Sequence, residues 1–303
     1  MTSIGFFPRP ISIAIMLFAA TLFASNHVAA RFAFDDGAGL VLALVARSAM
    51  AFFIMLGIVV IKQQSITLPK DKRHWQLILG ILIAVQSLTL YASVAIIPVA
   101  VSLLLINTWP IMYTLLNWWV NGVRPSLVFV IILLMIISGL VLVLDVPQML
   151  ADPSALGDNW LLGVALASVG AVFLALAMWV TNQYLPTISG AVRSAYTMLI
   201  VTLSLSLAGF AGLIDGGFSF PQSTSGWMGV FMLALCYGVA STILFTLVTR
   251  LDMARNAPVV NFEPVASLFL AYVILGQMLT AIQLLGGTVV LAGIVWLSLS
   301  RRV

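Results

Sequence analysis

Apolar residues in this chain neither alternate nor recur as stripes. They run in blocks of roughly 18–24 residues, the length a helix needs to cross a hydrocarbon core of about 30 Å. A membrane barrel would show segments of about ten residues with alternating polarity instead. Ten blocks are present, at residues 10–30, 38–61, 75–95, 99–120, 126–144, 159–182, 190–213, 226–249, 256–276 and 280–299. The pattern predicts an all-α polytopic membrane protein with ten transmembrane helices. The polar gaps between blocks are too short for a soluble domain.

Charge then orients the blocks. Only 7% of residues are charged against 62% hydrophobic, far from soluble-domain usage. Eleven of the 13 Lys and Arg residues fall in one class of gap. Arg9 precedes the first block, and Lys62, Lys70, Lys72 and Arg73 lie between the second and third. Arg124, Arg193, Arg250, Arg255, Arg301 and Arg302 continue the series at the even-numbered connections and the C-terminal end. The other gaps hold Asp35, Asp36, Asp145, Asp152, Asp158 and Asp215, with Arg31 as their one cation. Cations stay on the cytoplasmic side during insertion, so both termini are expected there. Because the excess cations sit at block ends, the net charge of +4 does not point to nucleic acid. Arg9 and Val28-Ala29-Ala30 mimic a cleaved signal peptide, but the apolar run between is too long, and the segment is expected to be retained. The single cysteine, Cys236, excludes internal disulfides and cysteine metal sites.

The chain also carries an internal repeat. Leu90-Tyr91-Ala92-Ser93 through Asn107-Thr108-Trp109-Pro110 matches Leu244-Phe245-Thr246-Leu247 through Asn261-Phe262-Glu263-Pro264 at a constant offset of 154 residues. Each segment leaves its block through a glycine, Gly122 or Gly276. The match divides the chain into a first five-helix repeat over residues 1–150 and a second over 156–303. Five is odd, so the second is inserted upside down. Inverted repeats of this kind are a transporter architecture, with the site near the midplane.

Ionisable residues inside a span cost about 2.5–3.5 kcal/mol on insertion scales, so each requires a reason. His27, Arg47 and Glu263 are the cases here. Arg47 reads either as a ligand for a substrate carboxylate or as a tie to backbone carbonyls or Glu263. Glu263 reads as a coupling-proton carrier, a partner for a substrate ammonium, or a partner of Arg47. The adjacent Pro264 frees a carbonyl one turn earlier and predicts a local break. Neutral polar and aromatic groups cluster in the same blocks, among them Asn26, Tyr91, Asn107, Trp109, Trp179, Tyr237 and Asn261. Trp118, Trp119, Trp160, Trp227 and Trp296 sit at block ends and read as interfacial anchors. The fifth and tenth blocks are almost free of polar atoms, with Ser138-Gly139 and Gly286-Gly287 as expected close-packing points; Gly163, Ala167 and Ala171 form a small-residue ridge. A nearly neutral, amide-rich and aromatic lining suits a small zwitterion better than a phosphate ester, which would want several intramembrane cations. No Walker motif, metal-ligand cluster or nucleophile–base set is present, so no enzyme activity, cofactor or metal is expected.

Several stretches together resemble the drug/metabolite transporter superfamily in its EamA branch. They are Leu22-Phe23-Ala24-Ser25-Asn26-His27, Arg47-Ser48-Ala49-Met50, and above all Asn256-Ala257-Pro258-Val259-Val260-Asn261-Phe262-Glu263-Pro264, followed by Leu275-Gly276-Gln277. Gln277 departs from the family's usual Glu, and Ala24 from its common Gly. Asn107-Thr108-Trp109-Pro110 and Trp179 look most like the YddG-type amino acid exporters. The resemblance implies a basket of helices around a central cavity, and export of amino acids, aromatic ones included, across a bacterial inner membrane.

The expectation is therefore an alternating-access exporter of amino acids with broad specificity. Its partners would be the lipid bilayer and a small amino acid substrate, and a monomer would suffice. Asn26, His27, Tyr91, Asn107, Trp109, Trp179, Tyr237 and Asn261 are the expected substrate-binding residues, with Arg47 and Glu263 as coupling or structural charges. Uniport is favoured over proton antiport through Glu263 or His27. The alternative is a proton-coupled exporter of multiple drugs or cationic metabolites, using cation–π binding with Glu263 as counter-charge.

Overall fold

A computed structural model describes residues 5–94, 96–97, 99–122, 124–151, 159–214, 217–276 and 278–300. Asp152, Asp158, Asp215, Gln277, Arg301 and Arg302 lie outside the described residues. Every regular element among the described residues is helical: α1 (Arg9–Asp35), α2 (Leu40–Ile61), α3 (Lys70–Val94), α4 (Val99–Ile106), α5 (Trp109–Asn121), α6 (Leu127–Val143) and α7 (Val146–Ala151) in the first half, then α8 (Trp160–Tyr184), α9 (Gly190–Phe210), α10 (Thr224–Leu247), α11 (Met253–Asn256), α12 (Glu263–Leu275) and α13 (Ala281–Leu299). Short 3-10 turns cover Val248–Arg250 and Ala257–Phe262.

Eight helical stretches are long and apolar enough to cross a membrane, and Leu127–Val143 is a shorter apolar helix. The count differs from ten because the expected fourth span is two helices, α4 and α5, broken at Asn107-Thr108, and the expected fifth, α6, has only 17 residues. The expected ninth span is counted among the eight but is also composite: α11, a 3-10 turn and α12. Pro110 and Pro264 each sit in the first turn after the break, where a missing N–H is tolerated. Lys70, Lys72 and Arg73, read as loop cations, belong to the first turn of α3.

The helix ends follow local chemistry. Ser126 and Ser223 cap α6 and α10 by accepting from Phe129 and Gly226 N–H, and Thr280 with Gln283 forms a capping box on α13. Gly122 and Gly276 end α5 and α12 in the left-handed region, at φ 68° and 65°. That conformation requires glycine or a strained substitute, which is why both repeats exit through one.

Two compact units divide the chain. The first holds Met1–Phe6, Phe18–Ala84 and Val180–Arg250; the second holds Phe7–Leu17, Val85–Trp179 and Leu251–Val303. Helices α1, α3 and α8 contribute to both.

In the first unit α2 packs along α9 and α10. Ser48 of α2 accepts a hydrogen bond from Thr202 of α9 at 3.0 Å, and these two residues are 154 apart in sequence. Equivalent positions of the two repeats therefore touch each other, as they must where a two-fold axis passes. The ends of α10 are held by opposite charges. At its start, the Asp36 carboxylate accepts from the backbone N–H of Gln222 and Ser223, at 3.0 and 2.8 Å. Near its end, the Arg193 guanidinium donates to the Phe245 carbonyl at 2.7 Å. An anion at a helix N-terminus and a cation at its C-terminus both oppose the helix dipole. The α1–α2 turn is further stitched to the loop before α10 by Gly39 N–H to Ser219 O and the Ser219 hydroxyl to Gly37 O. The α8–α9 turn is stitched to the loop after α2 by Ser189 to Gln64.

In the second unit α6 and α13 pack along each other. A Cβ on Gly139 would stand 2.9 Å from Val290, and one on Gly293 would stand 2.6 Å from Ile136. These two contacts exchange under the same 154-residue offset, so this helix pair also joins equivalent positions of the two repeats. Gly139 and Gly286 are the close-packing points expected from sequence, whereas the Ser138 hydroxyl turns back to Met135 O on the exposed side. The Gly163–Ala167–Ala171 ridge is a contact surface: a Cβ on Gly163 would meet Ile97, and both alanines are buried. Trp118, Trp119, Trp160, Trp227 and Trp296 are all exposed, as interfacial anchors would be.

The Asp36 clamp carries a pH prediction. The Ser223 backbone N–H holds the Asp36 carboxyl below its ordinary range, against a smaller opposing effect of desolvation. A group whose folded pKa is lowered stabilises the fold above its unfolded pKa, and the contribution is lost as pH falls through the folded value. Asp36→Asn is expected to lower the melting temperature by a few degrees at neutral pH and to flatten its fall below about pH 4. Thermal unfolding from pH 3 to 7 measures both.

Candidate functional site

Within the first unit, α1, α2 and α10 bring together Phe23, Arg47 and Tyr237. The Arg47 guanidinium lies 4.5 Å from the Tyr237 ring centroid. Phe23 meets the same ring edge-on, with centroids 5.5 Å apart. Asn26 and His27 follow Phe23 by three and four residues, so they share its side of α1. Asn26 is buried and His27 half-buried. An arginine inside an apolar bundle requires electron-rich partners, and the face of Tyr237 supplies one.

Within the second unit the candidates gather at the two helix breaks. Asn107 closes the first, its side-chain amide donating to Leu103 O at 2.7 Å, with Thr108 donating to Leu105 O at 2.6 Å. Trp109 starts α5, is buried, and meets Tyr113 edge-on at 6.2 Å. At the second break Asn261 is completely buried, and neither atom of its amide has a hydrogen-bond partner. Glu263 opens α12 and places its charge in the first turn, where the helix dipole favours an anion. Trp179 is half-buried on α8. Tyr91 lies on α3, and its side chain is outside the described residues. Broken helices put helix termini and unpaired backbone groups inside the membrane, where they can meet a polar solute.

The sequence model of the EamA-like transporter family matches twice, over residues 10–145 and 161–299. The chain belongs to the EamA-like transporter family. It is thus a multi-pass membrane transporter of the drug/metabolite type, built from two repeats. Among solved structures 17 chains match. One of them, described as the crystal structure of a protein, superposes with a TM-score of 0.79 over 96% of this chain and 99% of its own, at 16% identity. That likeness shows the fold. No curated protein matches.

This EamA transporter contains one polar cluster that sequence reading missed. Arg193, counted as a loop cation, is fully buried at the start of α9. It donates to the carbonyls of Leu185, Ile188 and Phe245. Gln76 of α3 donates to Arg193 O and to the Thr197 hydroxyl, both at 3.0 Å. The cluster thereby ties together α3, α9, the α8–α9 turn and the end of α10. A signal existed: Arg193 stands among Gly190-Ala191-Val192 and Ser194-Ala195, small residues suited to a helix interface and unlike the polar surroundings of Lys62–Arg73. Phe23 was also missed as a partner of Tyr237. Among the described residues no group of three or more His, Cys, Asp or Glu could hold a metal.

Proposed function

We propose that this protein exports amino acids of broad specificity by alternating access across a bacterial inner membrane, with both termini cytoplasmic. Ten crossings result when the α4–α5 pair and the short α6 are each counted as one. The repeats would span residues 1–150 and 156–303. The observation that carries the substrate class is Arg47 lying over Tyr237. A cation already occupies that aromatic face, which disfavours a second cation and favours a carboxylate-bearing solute. The proposed contacts are Asn26, His27, Tyr91, Asn107, Trp109, Trp179, Tyr237 and Asn261. Amides and aromatic faces tolerate varied side chains, because a wrong substrate leaves few fixed charges unpaired. Uniport fits a chain whose Glu263 is placed to complement a helix end.

Proteoliposomes preloaded with labelled amino acids of several side-chain classes test this. Efflux of several of them, unchanged by a pH gradient, is the expected result, with KM raised about tenfold or more in Arg47→Gln. Proton-driven efflux of quaternary amines alone would overturn the assignment in favour of a multidrug exporter.

A further inference from the structure

The two helix breaks occupy equivalent positions in the repeats but are wound differently. In the first, α4 runs to Ile106 and the next residue keeps its bonding pattern: Asn107 N–H bonds Leu103 O at 3.1 Å, and the Asn107 side-chain amide bonds the same carbonyl. In the second, Ala257–Phe262 is a 3-10 turn, closed by Glu263 N–H to Val260 O. Asn261 is the equivalent of Asn107, and its amide has no partner although it is completely buried.

Winding explains the difference. In an α-helix each residue turns the chain by about 100°, so a side chain sits only about 40° round the axis from the carbonyl four residues back. In a 3-10 helix each residue turns it by about 120°, and the same carbonyl lies about 120° away. Asn107 reaches its carbonyl because its turn is α. Asn261 misses the equivalent carbonyl, that of Ala257, because its turn is 3-10. Pro258 lies in the first turn of the 3-10 segment, where its missing N–H is tolerated.

We propose that residues 257–262 form a winding latch: rewinding them to α closes the Asn261 amide onto Ala257 O, while the first break unwinds and releases Asn107 from Leu103. Six residues rise about 12 Å as 3-10 helix and about 9 Å as α-helix, so rewinding draws α12 and its Glu263 about 3 Å along the axis. Inverted repeats supply the reason for the exchange. Each half adopts in one state the conformation that the other half adopts in the opposite state. Helix α6 packs against both α4 and the 3-10 turn, giving the two latches a shared neighbour.

Hydrogen exchange of the full-length protein tests this without any substrate, so it stands apart from the amino acid assignment. Asn261→Ala removes the reward for rewinding. It is expected to slow exchange over 103–108 and speed it over 257–262, each by about tenfold. It should also raise the melting temperature, because it deletes a buried unpaired amide from the state described here. Asn107→Ala is expected to do the reverse in both segments. Changes confined to the mutated segment, changes of the same sign in both, or a lowered melting temperature for Asn261→Ala would each overturn the latch.

Discussion

Arg193→Met is expected to leave almost no folded protein in detergent extracts. The guanidinium donates to the Leu185, Ile188 and Phe245 carbonyls, at a turn and near a helix end, where Leu185 O has the Ile188 N–H as a second donor. Each buried acceptor left unmade costs about 1–3 kcal/mol. Together they cost on the order of 3–5 kcal/mol, a large share of the stability of an ordinary domain. Arg193→Lys should recover only part of the loss, because one ammonium cannot reach acceptors on two elements as a planar fork does. Size-exclusion profiles after extraction, with thermal melting of what survives, give the answer. A monodisperse Arg193→Met peak at normal yield would show that the three carbonyls find other donors.

Gly190→Ala is the second large effect. A Cβ there would stand 2.6 Å from the Thr246 Cα and closer still to its carbonyl oxygen. The obstacle is backbone, so no rotamer change relieves it, and α9 must part from α10. Overpacking of this kind costs about 3 kcal/mol. Gly57→Ala is the control. Gly57 lies inside α2 with nothing within 4 Å of the added carbon, and replacing a mid-helix glycine by alanine gains about 1 kcal/mol. The same chemical change should therefore lower the melting temperature at 190 and hold or raise it at 57. Equal behaviour at both sites would mean that the α9–α10 contact is looser than described.

The membrane class and the two-repeat architecture were legible because each has a one-dimensional signature. Hydrophobic block length predicts spans, and a constant offset between Asn107 and Asn261 predicts repeats. The same offset, applied to Ser48 or Gly139, lands on Thr202 and Gly293, so even the axis contacts were within reach. The break inside the fourth block was harder to read. Hydropathy runs on through Val99–Ile106, and only Asn107 and Pro110 mark the interruption. Arg193 was misread because its partners are carbonyls, and every residue has one, so no side-chain pattern announces them. Arg47 over Tyr237 joins residues of different repeats, and nothing local links those positions. Tyr237 was chosen for its chemistry, and its neighbours had to come from the fold.

The Ser48–Thr202 bond also has a bearing on how the protein is made. Ribosomes add about 5–20 residues per second, so the 154 residues between these partners take roughly 8–30 s to synthesise at that pace. Through that interval α2 stands in the bilayer without α9, the helix it packs along. The nascent first half must be shielded by lipid or by the insertion machinery until the second repeat arrives.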